Sequence, residues 1–167
     1  MQSLAVPPPD PVDVLLGDAA KLVQIVSDVT GLSQAEAAHR LLAENRQLGS
    51  SVWCELQERQ IAPYEWSAAL GEFYATTIAF VFESIVWNRS SLKRRMRRWI
   101  ADFLAREFDR PVRVLVFGDG LGFDSAFLAS AGHEVSYFEV SEKAIRFARL
   151  VFQEVACEVE MLTDAER

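Results

Sequence analysis

Three glycines at alternate positions, Gly118, Gly120 and Gly122, directly follow the apolar run Val112 to Phe117. A main chain without β-carbons turns sharply there and comes close to a ligand that side chains would hold off. Carboxylates surround the turn: Asp119 lies inside it, Asp124 falls at the start of the helical pattern that follows, and Glu139 closes the second apolar run, Glu134 to Phe138. An acid at the carboxyl end of a strand, about 20 residues past such a loop, is placed to accept hydrogen bonds from both hydroxyls of a ribose. The competing reading of Glu139 is a solvated strand-end side chain. The chemistry suggested is the binding of a nucleoside.

Spacing and charge indicate which nucleoside. A dinucleotide fingerprint starting at Gly118 needs a third glycine at position 123, where helix and strand pack closely, and this chain has Phe123. Starting at Gly120 puts Ser125 in the third place and shortens the stretch from loop to second strand. Asp119 and Asp124 flank the helix N-terminus where a dinucleotide would lay its pyrophosphate, and carboxylates repel it. S-adenosylmethionine carries no phosphate, and its sulfonium and ammonium groups favour nearby carboxylates. For Asp124 an N-terminal role that complements the helix dipole is the plain alternative. Glu139 serves either cofactor.

These residues sit in a chain with two characters. The prolines of Val6-Pro-Pro-Pro-Asp-Pro11 remove donors and fix φ, which predicts an extended leader over residues 1–11. Apolar spacing predicts a helix from Val12 to Val29 ended by Gly31, and Ser33 with Glu36 forms a capping box for a second helix running to about Leu48. A short helical segment over Val52–Gln60 follows, then a long helix from Pro63 to about Trp87. Ser91 is placed to cap a helix with Leu92, Met96, Trp99, Ile100, Phe103 and Leu104 on one face and arginines on the other. After Arg110-Pro111 the pattern becomes a strand at Val112–Phe117, a helix at Asp124–Ala131, a strand at Glu134–Phe138, a helix opened by Ser141 and a third strand at Val159–Leu162. The domains read are the leader 1–11, a helical cap region 12–110 and an α/β region 111–167.

Composition bounds the functional classes. The chain of 167 residues is half apolar and a quarter charged, an ordinary globular balance. Cys54 and Cys157 are isolated, so neither a disulfide framework nor a zinc site is supported, and a reducing cytoplasmic setting fits. His39 and His133 are likewise far from other ligand types. The most apolar stretch, residues 73–87, is short of the roughly 20 residues of a membrane span and contains Glu83, so a buried helix is expected and no transmembrane segment. Net charge is −7, yet Arg89 to Arg113 holds nine basic residues against three acidic ones. General nucleic-acid binding is not expected, although Lys93-Arg94-Arg95-Met96-Arg97-Arg98 offers a local basic surface for an anionic substrate, nucleic acid or headgroups, or simply a solvated helix face.

The run from Val114 through Ala148 resembles the first two cofactor motifs of class I S-adenosylmethionine-dependent methyltransferases. It has an apolar strand, Gly118-Asp-Gly120-Leu-Gly122, a helix ending in Ala131-Gly132-His133-Glu134-Val135, the acid Glu139, and Ser141 opening the next helix. One departure is Val116, which stands where family members usually carry an acid. The resemblance implies an α/β chain: an N-terminal helical region followed by an incomplete Rossmann-like methyltransferase domain holding strands one to three of a doubly wound sheet. It implies S-adenosylmethionine as cofactor, with Gly118, Gly120 and Gly122 lining its methionine and ribose portions, Asp119 in place of the missing acid, Glu139 on the ribose, and Thr163-Asp164 near adenine. Methyl transfer to a small-molecule or glycoconjugate acceptor is the activity implied. The chain would supply the cofactor-binding half, with Tyr74 on the helical cap either near the cofactor or in the core. In the family the first strand is covered on both edges, so these residues are expected to be an N-terminal piece of a longer protein or to be completed by another chain or a homo-oligomer, and independent catalysis by them alone is not expected. A non-catalytic nucleoside- or partner-binding module and a NAD-dependent oxidoreductase are the alternatives.

Overall fold

The computed structural model describes residues 10–162. Thr163 and Asp164 and most of the proline leader lie outside them. The end of the predicted leader is already helix: Asp10 accepts the Val12 N–H at 2.8 Å and Pro11 takes the first position of α1 (Pro11–Gly17). Proline is at no disadvantage there, because the N–H it lacks has no helical acceptor.

The single helix predicted over residues 12–29 is two. Asp18 ends α1 with an extended ψ of 90° and caps α2 (Ala19–Thr30) by accepting the Lys21 N–H at 3.0 Å. A short acidic side chain that bonds main-chain donors competes with helix continuation, and here it wins next to Gly17. Gly31 terminates α2 in the left-handed region, as its place after the apolar pattern suggests. Ser33 caps α3 (Gln34–Arg46), but Glu36 pairs with Arg40 at 3.0 Å, so only the serine half of the capping box forms. The turn into α4 (Ser50–Glu58) is built on a fully buried Glu44, which accepts the N–H groups of Gly49 and Ser51 and the Ser51 hydroxyl.

The long helix expected from Pro63 to Trp87 is also divided. Pro63 lies in a loop, Ser67 caps α5 (Ala68–Thr76), and α6 (Ala79–Arg89) departs at 68°. Thr77 makes the break: its hydroxyl accepts the Ala79 N–H at 3.0 Å and donates to Glu55 at 2.6 Å. Among the described residues no single helix is long and apolar enough to cross a membrane; the bent pair α5–α6 reaches that mark by length and composition alone. Ser90, one residue before the predicted cap, opens α7 (Ser91–Glu107).

The α/β part follows as β1 (Arg113–Phe117), α8 (Phe123–Ser130), β2 (Glu134–Phe138), α9 (Glu142–Val155) and β3 (Glu160–Leu162). The three strands are parallel in the order β1-β2-β3, with Val114 opposite Val135 and Val116 opposite Tyr137. One sheet face, bearing Val135 and Tyr137, is buried under helices, with Tyr137 edge-on to Phe152 of α9. On the other face Arg113, Leu115, Phe117, Glu134 and Glu160 are exposed.

The boundary read at residue 110 divides sequence character and not the core. Val12, Leu22, Val26 and Phe82 of the helical region share one buried cluster with Phe123, Phe147 and Val151 of the α/β region. A smaller cluster of Leu56, Leu70 and Phe73 joins α4 to α5.

Helix α7 departs most from expectation. Its apolar residues Leu92, Met96, Trp99 and Phe103 are 39–65 % exposed, and its one fully buried side chain is Arg97. The Arg97 guanidinium donates to the Asn88 side chain at 2.6 Å and to the Asn88 carbonyl at 3.1 Å, and stands 3.6 Å from Asp124 and 3.8 Å from Asp13. Lys93, one turn earlier, reaches Asp124 at 2.5 Å. The basic run is thus neither wholly a solvated face nor wholly a ligand surface, since three of its members, Lys93, Arg97 and Arg98, the last bonded to Asp13 at 3.0 Å, tie α7 to α1, α6 and α8.

Replacing Arg97 by Ala leaves a void and removes the donors to Asn88, with Asp13 keeping Arg98 and Asp124 keeping Lys93 as partners. The expected cost in urea-induced unfolding is about 3 kcal/mol or more, against less than about 1 kcal/mol for the exposed neighbour Arg95→Ala.

Candidate functional site

The glycine loop is held by groups on both sides of it. Gly120 donates its N–H to Glu139 at 2.9 Å, and its carbonyl accepts the Tyr137 hydroxyl at 2.6 Å. The other Glu139 oxygen accepts the N–H groups of Val140 at 2.7 Å and Ser141 at 3.2 Å. One carboxylate therefore fastens the loop to the start of α9 and uses most, not all, of its acceptor capacity. Burial, followed by the charges of Glu139 and Asp119, pushes the Tyr137 hydroxyl up, so it stays protonated and able to donate. The chain pattern marks Tyr137 as a strand residue and gives no hint of this role.

Asp119 serves the next helix. Its carboxylate accepts the N–H groups of Asp124 at 3.2 Å and Ser125 at 2.8 Å, which are free donors in the first turn of α8. The place where a loop of this kind would present those donors to an external anion is filled by the protein's own acid. Burial, then the Asp124 carboxylate beside it, pushes Asp119 up to about 7. Asp124 itself turns away from the loop to Lys93 and Arg97.

The three glycines do different things. Gly118 and Gly120 have positive φ, and a β-carbon on Gly118 would meet nothing within 4 Å. A β-carbon on Gly122 would lie 2.8 Å from that of Ala148 and 2.9 Å from the Phe152 ring, at a φ of +80°. Gly122 is needed for packing α8 on α9 and does not line the cavity beside the loop.

That cavity, of about 350 Å³, is bounded by Gly118, Gly120 and Glu139 on the sheet side and by Tyr74, Phe80 and Ser84 of α5 and α6 on the other. Tyr74 and Phe80 stack at 5.1 Å with rings 4° from parallel, so the bend at Thr77 presents an aromatic wall to the loop. Among the described residues no lysine or arginine lines the cavity. A larger, open cleft of about 630 Å³ lies at the amino ends of β1 and β2 beside Arg113, Glu134 and Arg149, and includes neither the glycines nor Glu139.

Of the residues singled out from sequence, Gly118, Gly120, Glu139 and Tyr74 come together at one cavity. Asp119 stands at its margin as a cap, Gly122 packs against α9, and Asp164 lies outside the described residues. Val116 faces its register partner Tyr137 within the sheet, and His133 accepts the Val112 N–H at 3.3 Å. Among the described residues no three of His, Cys, Asp and Glu are grouped to hold a metal ion.

Comparison with protein-family models, with curated proteins and with solved structures gives no match.

Two outcomes are expected. Gly122→Ala adds left-handed strain to a clash with α9 and lowers stability by roughly 2–4 kcal/mol, read by chemical denaturation. Asp119 is raised above its unfolded value of 3.8, so its contribution to stability is full below about pH 4 and is lost as pH rises through about 7. Asp119→Asn removes that titration, and the stability of the natural protein relative to the variant should fall by about 4 kcal/mol between those limits. A difference that is flat with pH would refute the assignment.

Proposed function

We propose that the cavity binds S-adenosylmethionine and that the chain supplies the cofactor-holding part of a class I methyltransferase acting on a small-molecule or glycoconjugate acceptor. The observation carrying this reading is the charge of the site. Asp119 and Glu139 stand at a glycine turn, two of the helix donors are already engaged by Asp119, and among the described residues no lysine or arginine lines the cavity. A diphosphate would meet two acids and a helix N-terminus with two of its donors already taken, whereas a sulfonium compound gains from the same carboxylates. The parallel order of the three strands is compatible with the opening of a doubly wound Rossmann-like sheet.

The residues present fit the group. Gly118 leaves space where a β-carbon would stand, Glu139 retains acceptor capacity for ribose hydroxyls, and Tyr74 with Phe80 offers a flat apolar wall. S-adenosylmethionine, when bound, supplies an activated methyl group for in-line displacement. The protein's own part is to bind and orient: Tyr137 and Glu139 fix the Gly120 peptide from opposite sides, and α5 and α6 exclude water from one flank. Among the described residues the cavity is lined by neither histidine nor lysine, and a second reading is a nucleoside-binding module without catalysis.

Calorimetric titration of the full chain discriminates these. Binding of S-adenosylmethionine is expected, with Glu139→Ala weakening it by about tenfold or more, and NADH is expected to bind more weakly or not at all. Tighter binding of NADH would remove the proposal in favour of a nicotinamide-dependent enzyme. Equal binding of adenosine and S-adenosylmethionine, without methyl transfer to any acceptor offered, would favour the module.

A further inference from the structure

We propose that Ser84 of α6 is a ligand-binding residue that completes a ribose site, accepting the sugar hydroxyl that Glu139 has no room for; this rests on the reading of the cavity as a nucleoside site. Glu139 already accepts main-chain donors from Gly120 at 2.9 Å, Val140 at 2.7 Å and Ser141 at 3.2 Å. An ionised carboxylate offers about four lone-pair positions, so room for about one more donor is left. A ribose brings a pair of adjacent hydroxyls, and each is a donor that gives up water on entering the cavity and must find an acceptor there. The second acceptor has to stand close to the first, beside Gly120.

Ser84 stands there. Its hydroxyl oxygen would lie 3.9 Å from a β-carbon on Gly120, the residue whose N–H Glu139 holds, and Ser84 lines the same cavity. A helical serine can return its hydroxyl to the carbonyl one turn earlier. The Ser84 hydroxyl makes no hydrogen bond among the described residues; only its carbonyl is engaged, by the Asn88 amide at 2.8 Å. Two other hydroxyls of the cavity are occupied, Thr77 by Glu55 and the Ala79 N–H, and Ser141 by the Ala144 N–H at 3.4 Å. Tyr74 carries a further hydroxyl on the aromatic wall, from α5. Val81, Phe82 and Ile85, neighbours of Ser84 on α6, are buried in the shared core, so packing fixes where the helix presents the serine. The helical region thereby gives the ligand a direct polar contact, and the pair Ser84–Glu139 selects a sugar with both hydroxyls over a deoxy sugar.

Calorimetric titration of the full chain tests this with adenosine, 2′-deoxyadenosine, 3′-deoxyadenosine and S-adenosylmethionine as probes. Ser84→Ala keeps a strong helix former in α6 and is expected to weaken adenosine and S-adenosylmethionine by about fivefold. It is expected to leave unchanged the affinity for the one deoxynucleoside that lacks the hydroxyl Ser84 accepts, a cancellation that a loss of packing does not produce. Tyr74→Phe is expected to show no such cancellation. The inference is overturned if Ser84→Ala binds adenosine as the natural chain does, if it weakens both deoxynucleosides as much as adenosine, or if the cancellation follows Tyr74→Phe instead. Strong binding of S-adenosylmethionine that Ser84→Ala leaves untouched removes the serine contact and keeps the methyl-donor reading. Preference for NADH with the Ser84 pattern intact removes the methyl-donor reading and supports the serine contact.

Discussion

A carboxylate seated on the first turn of α8 sets the character of everything around it. The donors of that turn exist because a helix following a strand leaves its first N–H groups unpaired. Asp119 closes on two of them from within the loop, which fixes the path of the chain between Gly118 and Gly122. With those two donors engaged, less of the helix end is left for an external anion. Glycines remain necessary for the turn, and the acids beside it are Asp119 and Glu139.

Two acids so close to one helix end require compensation. Burial first, and then the charge of Asp124 beside it, holds Asp119 well above the usual carboxylate range. Lys93 and Arg97 of α7 answer Asp124, with Arg97 also bound to Asn88 and near Asp13. The arginine is 2 % exposed, a burial sustained only because hydrogen bonds and opposite charges surround it. This is why α7 turns basic residues inward and leaves aromatic ones in solvent. A helix normally buries its apolar stripe, and the reversal marks an electrostatic demand at the loop stronger than the local gain from burying Trp99 and Phe103.

Much of the α/β part is legible in the sequence because its signals are local. Glu134–Phe138 agrees with β2 at both ends, the glycine turn lies where predicted, and Ser141 caps α9. The helical region is less legible, since its breaks are made by polar side chains that bond the backbone in place of a helix partner. Asp18 and Thr77 both sit inside patterns whose apolar spacing continues across them, and periodicity alone cannot register a competing hydrogen bond. At the site, residue type and spacing bring out Gly118, Gly120 and Glu139. Tyr137 and Phe80 escape because their roles depend on contacts across the sheet and across a bend, which chain order does not encode. Gly122 fits the loop pattern while serving a helix contact, a distinction visible only from what a β-carbon would strike.

Helix α7 works on the loop through charge. Its inner side, through Lys93 and Arg97, neutralises the acid next to the glycine loop, while Trp99 on its other side is exposed. A ligand that is itself cationic stabilises the ionised form of Asp119 by the same Coulomb term that Asp124 opposes, so binding of a sulfonium compound and loss of the Asp119 proton would favour each other.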